Sequence, residues 1–179
     1  MEKRILNVGC GDDTYGTDFV DLYPSRKEVL KCDLGKDKLP FGNDTFDEVY
    51  AAFVLEHLKN PNMVIKEMVR VLKKGGQLVI KTDNAAYWLF HNEKSKKKLH
   101  YGGYEVKGAH GKSDVHFSIF TPSHVRNHLE AVNLKVKKIE YFTEYKGMSP
   151  LIYFASWMFS KTRFKPMAYG NILAVAEKT

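Results

Sequence analysis

Cysteine is scarce in this chain of 179 residues, which contains only Cys10 and Cys32. Two isolated cysteines form no metal-ligand pattern, and a chain of this length can bury a core without disulfides or metals. We therefore expect both thiols to be small, buried side chains in a protein of a reducing compartment.

Long apolar runs are also missing. No stretch of about 18 apolar residues occurs, so no membrane-spanning helix is expected. The first residues, MEKRILNVG, lack the regions of a signal peptide, which predicts a cytoplasmic location. With 44% apolar and 13% aromatic residues, the composition predicts a single globular domain over residues 1–179.

Charge is distributed unevenly along the chain. Residues 1–83 carry 13 Lys and Arg against 14 Asp and Glu, whereas residues 84–179 carry 15 against 7. A basic surface concentrates anionic partners. The second half is therefore expected either to contact an acidic partner or to present a solvated, lysine-rich face.

Short apolar and β-branched runs predict an α/β fold. Seven such runs, bounded by Gly, Pro, Asp or Asn, have the length of strands: 4–8, 17–23, 28–34, 46–52, 76–82, 134–142 and 169–178. Several lack polar alternation, as in strands buried on both faces of a parallel sheet. Strands alternating with helices indicate a Rossmann-like sheet with right-handed crossovers and helices on both faces.

Two helices have clear boundary signals. The first is predicted to be capped by Asn60, to have Pro61 in its first turn, and to exit at Gly75. The second is predicted to begin at Thr121–Pro122 and to end at Asn133.

Two segments do not fit this alternation. Residues 84–120 are rich in His, Tyr, Gly and Lys, and are predicted to be an insertion with one helix around 85–98. Residues 150–161 are apolar nearly all round, so they cover the sheet, contact a partner such as a second copy in a homodimer, or touch a membrane surface. Cover of the sheet is favoured, because such an apolar patch is unusual on a soluble monomer.

A glycine turn, GCG at residues 9–11, follows the first predicted strand. Glycine permits positive φ and a close approach of the backbone to a ligand at the carboxyl edge of the sheet. The third glycine and the GK[ST] of phosphate-binding loops are missing, so a pyrophosphate cofactor is not indicated. Asp21 and Asp33 end the next two strands, where a carboxylate can accept hydrogen bonds from a ribose diol. The pattern favours an adenosine-bearing ligand that is not anionic.

Six segments, taken in order, resemble class I S-adenosylmethionine-dependent methyltransferases of the methyltransferase type 11 kind: ILNVGCG, FVDLYP, KCDL, LPFGNDTFDEVYAAFVLEHL, PNMVIKEMVRVLKKGGQLVI and FTPSHVRNHLEAVNLKVKKIEY. The run from Leu39 to Gly76 is the most specific part. The resemblance implies a seven-stranded sheet of order 3-2-1-4-5-7-6 with the seventh strand antiparallel.

The resemblance also implies S-adenosylmethionine as cofactor and S-adenosylhomocysteine as product. It assigns the ribose hydroxyls to Asp21 and the adenine amine to Asp33 with Leu34, and it places Glu56 and His57 at the rim. The full set of residues expected around the cofactor is Asn7, Gly9, Cys10, Gly11, Asp21, Leu22, Asp33, Leu34, Phe53 and Val54.

Three features depart from the family pattern. Asn7 replaces a common acid, which weakens a carboxylate contact to the methionine amine. Asp12 and Asp13, rather than another glycine, follow Gly11. The distance from Gly11 to Thr17 leaves no room for the ordinary first helix, so a shortened crossover is predicted.

Histidines are the candidate acceptor-side groups, because histidine titrates near working pH. We predict His57, His110 and His116 as bases or acceptor contacts, with a structural role as the alternative for each. The histidine spacing matches no zinc template, so no metal is predicted.

The main functional prediction is methyl transfer to a small molecule or glycan, with an anionic or phosphate-linked acceptor suggested by the basic second half. Two alternatives stay open. One is an RNA or DNA acceptor, with phosphate contacts from Lys94, Lys96, Lys97, Lys98, Arg163 and Lys165. The other is a non-catalytic partner subunit that keeps the fold and uses residues 150–161 to dimerise or to activate another chain.

Overall fold

The computed structural model describes residues 2–87, 116–143 and 150–179, and the backbone of 106–107 and 113–114. The strands of the main sheet are labelled β1 to β7 in chain order: Ile5–Val8, Asp18–Asp21, Val29–Lys31, Phe46–Ala52, Leu72–Asp83, Leu134–Phe142 and Asn171–Lys178. In the described chain, the α-helices α1 to α3 span Pro61–Val71, Pro122–Glu130 and Pro150–Ser160. Short 3-10 helices cover Leu55–His57 and Lys165–Ala168, and Val106–Lys107 pairs with Ser113–Asp114 in a separate ladder.

The sheet has the order β3-β2-β1-β4-β5-β7-β6. The pairs among β1 to β5 are parallel, and β7 runs antiparallel to both of its neighbours. This result confirms the predicted order and the antiparallel seventh strand. The strand order reverses between β1 and β4, and open α/β sheets bind ligands outside the carboxyl ends of the strands at such a point.

One face of the sheet carries the hydrophobic core. Alternate side chains of the strands, among them Leu6, Val49 and Leu78, are fully buried there. Helix α1 adds Ile65 and Met68 from its apolar stripe, and α2 adds Val125 and Leu129. Both helices therefore contribute to the same core cluster on this face, each through an apolar stripe at helical spacing.

The predicted helix boundaries are partly right. Thr121 caps α2 by accepting a hydrogen bond from the His124 N–H, and Asn133 has φ +60, as an exit residue should. The prediction for α1 is right at its start, where Asn60 is the N-cap residue and Pro61 the first helical residue, and wrong at its end. Asn60 makes no side-chain cap, and the helix ends at Val71 because Leu72 already pairs with Phe46 in the sheet. The positive φ of Gly75 belongs to the irregular start of β5.

The opposite face near β1 is covered by side chains instead of by a first crossover helix. Residues 9–17 connect β1 to β2 without a helix, which confirms the shortened crossover. The Tyr15 ring meets the edge of the Tyr50 ring at 4.8 Å, and its hydroxyl donates to Glu48 Oε1 at 2.7 Å. The Lys81 ammonium lies over the rings of Tyr50 and Phe142. The sequence predicts helices on both faces of the sheet, but α1 and α2 both pack on the face that carries the core.

Helix α3 corrects the favoured interpretation of residues 150–161. Leu151 is 77% exposed, and Phe154, Trp157 and Met158 are each more than half exposed. The prediction that residues 150–161 cover the sheet is therefore wrong for the outer side of this helix. Among the described residues, no helix is both long and apolar enough to cross a bilayer.

Candidate functional site

The glycine turn lies at the carboxyl end of β1. Gly9 and Gly11 have φ of +67 and +50, which L side chains rarely adopt. A β-carbon on Gly9 would lie 2.6 Å from Val54 Cγ2, so only glycine fits between the turn and Val54, two residues after β4. A β-carbon on Gly11 would meet no atom within 4 Å. The turn is thus packed on one side and open on the other.

Asp21, at the end of β2, is joined to this turn. Its Oδ2 accepts a hydrogen bond from the Gly11 N–H at 2.8 Å, and its Oδ1 accepts one from the Tyr23 N–H at 2.8 Å. A carboxylate offers about four lone-pair sites, so both oxygens can still accept from ligand hydroxyls. The side chain is held in one orientation next to the open side of Gly11.

Asn7 supports the short crossover. It is 1% exposed, and its Nδ2 donates to the Tyr15 carbonyl at 2.9 Å. Gly16, at φ +125, fits closely against it, because a β-carbon there would lie 3.2 Å from the Ile5 carbonyl and 3.5 Å from Asn7 Cβ. The amide therefore replaces the family's acid with a donor that closes the loop, and a cofactor contact from Asn7 stays a prediction.

The other predicted cofactor residues are placed as follows. The Asp33 carboxylate accepts from the Gly35 N–H and pairs with Lys36 at 3.0 Å, and the hydrogen bond from Lys36 lowers its pKa. Cys10 is buried, and desolvation, with the Asp21 charge, raises the pKa of its thiol to about 11. Leu22 is exposed, while Leu34 packs against the core. Their roles toward a cofactor stay predictions.

Phe53 and Val54 follow β4. Phe53 has φ +56, a strained value for a bulky residue, and its N–H donates to the Lys81 carbonyl, which extends the β4–β5 pairing. Val54 is 7% exposed and belongs to the core cluster. Its side chain therefore supports Gly9 from within the protein, and any contact with a cofactor would come from Phe53 and the turn above it.

A cluster of titratable side chains lies beyond the ends of β4 and β5. The rings of His57 and His116 meet edge to face, with centroids 4.5 Å apart. His116 Nδ1 lies 3.5 Å from Asp83 Oδ2, at the end of β5. We call these three residues the histidine–aspartate cluster. The structure thus brings together two of the three predicted histidines; His110 lies outside the described residues.

Asp83 is the functional candidate that the sequence analysis missed. Its side chain is 6% exposed, and desolvation raises its pKa to about 7, although Asn171 Nδ2 donates to Oδ1 at 3.3 Å. The signal was present, since Asp83 directly follows the predicted strand 76–82, just as Asp21 and Asp33 lie at the ends of theirs. A carboxyl group that titrates near neutral pH beside a histidine is typical of functional sites.

Glu56 corrects a prediction, because it does not lie at the rim. It is 1% exposed; its Oε2 accepts from Thr82 Oγ1 at 3.0 Å, and its carbonyl accepts from the Phe117 N–H at 2.7 Å. These bonds hold the segment that carries His116 against the end of β5. Glu56 therefore positions the histidine–aspartate cluster from the interior.

Asn84 is a second buried anchor. Its Nδ2 donates to the carbonyls of Pro166 and Tyr169 at 2.8 and 2.7 Å, and its N–H donates to that of Gly170. The residues after α3 are thereby fixed to the carboxyl end of β5. In the part of the chain that the structure describes, no group of three His, Cys, Asp or Glu side chains is arranged to hold a metal ion.

Comparison with known proteins agrees with this fold. Residues 20–80 match the model of a family described as a methyltransferase domain, type 11. A methyltransferase structure from Thermotoga maritima, described as S-adenosylmethionine-dependent and a possible histamine N-methyltransferase, superposes with a TM-score of 0.64 at 16% identity, covering 100% of this chain and 83% of that one. The fold is thus that of Rossmann-like methyltransferases, and the resemblance to the type 11 kind is confirmed over residues 20–80.

Curated relatives match parts of the chain. The sterol 4-C-methyltransferase of Caenorhabditis elegans is 36% identical over 119 residues, which cover 63% of this chain and 30% of that protein. The demethylmenaquinone methyltransferase of Mycobacterium tuberculosis is 42% identical over 54 residues, or 30% and 23% of the two chains. This chain therefore spans less than two thirds of these relatives.

The cofactor implied by the family and the fold is S-adenosylmethionine. The residues present fit it, because Gly11 leaves open space beside a carboxylate that is oriented by two backbone N–H groups. Gly9, Gly11 and Asp21 would hold it, with backbone against the methionine part and the carboxylate at the ribose.

Proposed function

We propose that this protein is an S-adenosylmethionine-dependent methyltransferase that acts on a small molecule or glycan. The observation that carries the proposal is the open side of Gly11 next to the fixed Asp21 carboxylate, at the same sheet edge as the histidine–aspartate cluster. The space beside Gly11 and Asp21 suits a nucleoside, and the histidine–aspartate cluster can accept or donate a proton.

His116 is the proposed general base. S-adenosylmethionine supplies an electrophilic methyl group when bound. A hydroxyl acceptor must lose its proton as its oxygen takes that methyl group, and the imidazole of His116 can accept this proton. The Asp83 carboxylate, 3.5 Å from Nδ1, stabilises the imidazolium that results. His57 packs its ring against His116 and limits the orientations of the imidazole.

The acceptor class rests on two supports. The names of the two curated relatives refer to a sterol and to demethylmenaquinone, which are small molecules. The second half of the chain is basic, with 15 Lys and Arg against 7 Asp and Glu, which supports an anionic or phosphate-linked acceptor.

Binding of the cofactor can be tested by calorimetry with S-adenosylmethionine and S-adenosylhomocysteine. Gly11→Val should fill the open space and weaken both ligands by about tenfold or more, and Asp21→Asn should do the same, about 1.4 kcal/mol each. The matched control is Gly75→Val, because Gly75 also has positive φ and open space around its α-carbon, but lies at the other end of β5. Absence of binding by the wild type, or equal losses at both glycines, would contradict the proposal.

The acceptor side needs a separate measurement. His116→Gln should lower the rate of methyl transfer to a hydroxyl acceptor by about 10²- to 10⁴-fold while leaving S-adenosylhomocysteine binding unchanged. His124→Gln, on the exposed side of α2, is the control. An unchanged rate in the first variant would remove His116 as the base.

The two alternative functions stay predictions. Of the residues predicted to contact nucleic-acid phosphates, Arg163 and Lys165 are exposed in the structure, whereas Lys94, Lys96, Lys97 and Lys98 lie outside the described residues. A non-catalytic subunit would transfer no methyl group to an acceptor, so the rate measurement above distinguishes it from the enzyme.

A further inference from the structure

Helix α3 presents an apolar outer face. Leu151, Phe154, Trp157 and Met158 are 77%, 55%, 51% and 53% exposed, and their spacing places them on one side of the helix. The rings of Phe154 and Trp157 are stacked with centroids 6.0 Å apart. We call these four residues the α3 outer face.

The helix is seated on the protein by its other side. Ser156 is 2% exposed there, and α3 packs against the 3-10 helix Lys165–Ala168. The carbonyl oxygens of Pro166 and Tyr169 accept hydrogen bonds from Asn84 at the end of β5. The outer face is therefore held in position at the carboxyl edge of the sheet.

A group of cations adjoins this face. Residues 150–170 contain no Asp or Glu, and Lys161, Arg163 and Lys165 follow the helix directly. All three are exposed, and none of them has a carboxylate partner among the ion pairs of the described residues. The surface thus combines an aromatic and aliphatic side with uncompensated positive charge.

We propose that the α3 outer face and these three cations form a docking surface for an anionic lipid membrane. An apolar helix side rich in aromatic residues lies in the boundary between headgroups and acyl chains, and adjacent Lys and Arg side chains are attracted to anionic headgroups. Tryptophan in particular favours this interface. With 11 residues, α3 is about 16 Å long and can lie in the interface without spanning the bilayer.

The charge favours a membrane over a second copy of the chain. In a two-fold dimer the same patch meets itself. Two groups of three cations would then approach each other without acidic partners, and such like-charge contacts oppose association. An anionic bilayer supplies the compensating charge.

Vesicle binding tests this proposal without cofactor or acceptor, so its outcome is independent of the proposed methyl transfer. The wild type should sediment with vesicles of mixed phosphatidylcholine and phosphatidylglycerol, bind pure phosphatidylcholine much more weakly, and dissociate as salt increases. Each basic residue near an anionic surface contributes about fivefold to binding. The triple variant Lys161→Gln, Arg163→Gln, Lys165→Gln should therefore bind the anionic vesicles about 100-fold more weakly.

The apolar part is tested by the double variant Phe154→Ser, Trp157→Ser, which should bind these vesicles about tenfold more weakly or worse. The control for it is Met63→Ser, Leu30→Ser, two exposed apolar residues elsewhere. The control for the charge variant is Lys66→Gln, Lys135→Gln, on the exposed surfaces of α1 and β6.

Fluorescence provides a second measurement. Trp88 and Trp157 are the two tryptophans of the chain. In a Trp88→Phe protein, emission of Trp157 should shift to the blue on adding anionic vesicles and should be quenched by brominated lipids. No vesicle binding, equal losses in the test and control variants, or a dimer that Trp157→Ser dissociates while vesicles have no effect would overturn the proposal.

Discussion

The Asp83 carboxylate and the His116 imidazole face each other at the carboxyl end of β5, with Oδ2 3.5 Å from Nδ1 and both side chains at least nine-tenths buried. Burial alone favours the protonated acid, whereas a proton on His116 favours the carboxylate. The charge on either side chain therefore affects the protonation of the other.

This arrangement predicts an unusual dependence of stability on pH. The pKa of Asp83 is raised to about 7 in the folded protein, far above the ordinary value near 3.8. Between these values the folded state keeps a proton that the unfolded chain has released, so the free energy of unfolding falls as pH rises, by about 4 kcal/mol at most. Asp83→Asn should remove this decline.

Urea unfolding at about pH 5 and about pH 8 checks the effect. The Asn variant should gain stability relative to the wild type at the higher pH. Asp12→Asn, in the exposed part of the 9–17 loop, should keep the wild-type slope. A slope equally steep without the Asp83 carboxyl would show that another group causes it.

Gly9 should not tolerate even alanine. Its β-carbon would lie 2.6 Å from Val54 Cγ2 at φ +67, so Gly9→Ala combines a collision with backbone strain and should destabilise by about 2–4 kcal/mol. Gly11→Ala has the strain without the collision, and should cost about 1 kcal/mol.

Adding Val54→Ala distinguishes the two contributions. In the Gly9→Ala background it should restore part of the loss, although by itself it creates a cavity. Thermal unfolding of the four proteins gives the coupling energy. A coupling energy near zero would mean that the collision is relieved by movement of the turn.

Restoring the family's acid at position 7 should harm this protein. Asn7 Nδ2 donates to the Tyr15 carbonyl in a site that is 1% exposed, and a carboxylate there would face that carbonyl without a donor. Asn7→Asp should lower the free energy of unfolding by about 2–4 kcal/mol at neutral pH. Asn127→Asp on the exposed side of α2 is the control, and urea denaturation measures both. Equal stabilities would indicate that the 9–17 loop rearranges.

Thr82→Val tests the buried contact beneath the histidines. The Thr82 hydroxyl donates to Glu56 Oε2 at 3.0 Å, and its loss leaves a buried carboxylate with one donor fewer, at a cost of about 1.5–3 kcal/mol. Thr45→Val, whose hydroxyl is exposed, should cost less. If Thr82→Val costs less free energy of unfolding in a Glu56→Gln background, the charge on Glu56 causes the loss. An unchanged cost would mean that the changed shape of the side chain causes it.

The fold was predictable because local pattern and family resemblance agreed. Short apolar runs located the seven strands, and the resemblance supplied their order, which periodicity cannot give. The error at the end of α1 has a physical cause. Gly75 carries an exit-type φ, but pairing of Leu72 with Phe46 ends the helix earlier. Tertiary pairing therefore overrode a correct local signal.

The site was less predictable because its chemistry depends on burial. Glu56 looks like a polar rim residue in the sequence, and only the fold shows that Thr82 and the segment of Phe117 enclose it. Asp83 resembles other strand-ending acids, yet its contact with His116 joins residues from β5 and from the segment before α2. Helix α3 is similar, since composition alone could not decide which side of it faces the protein.

The brevity of the connection between β1 and β2 also bears on how the chain folds. Most parallel strand pairs must wait for a long crossover to be organised, which makes their formation slow. Here residues 9–17 close the pair directly, which reduces the closure entropy by about 1 kcal/mol relative to a connection of about 25 residues. The β1–β2 pair can therefore form early in folding, as a β-hairpin can. The strands that follow can then pair with its two edges.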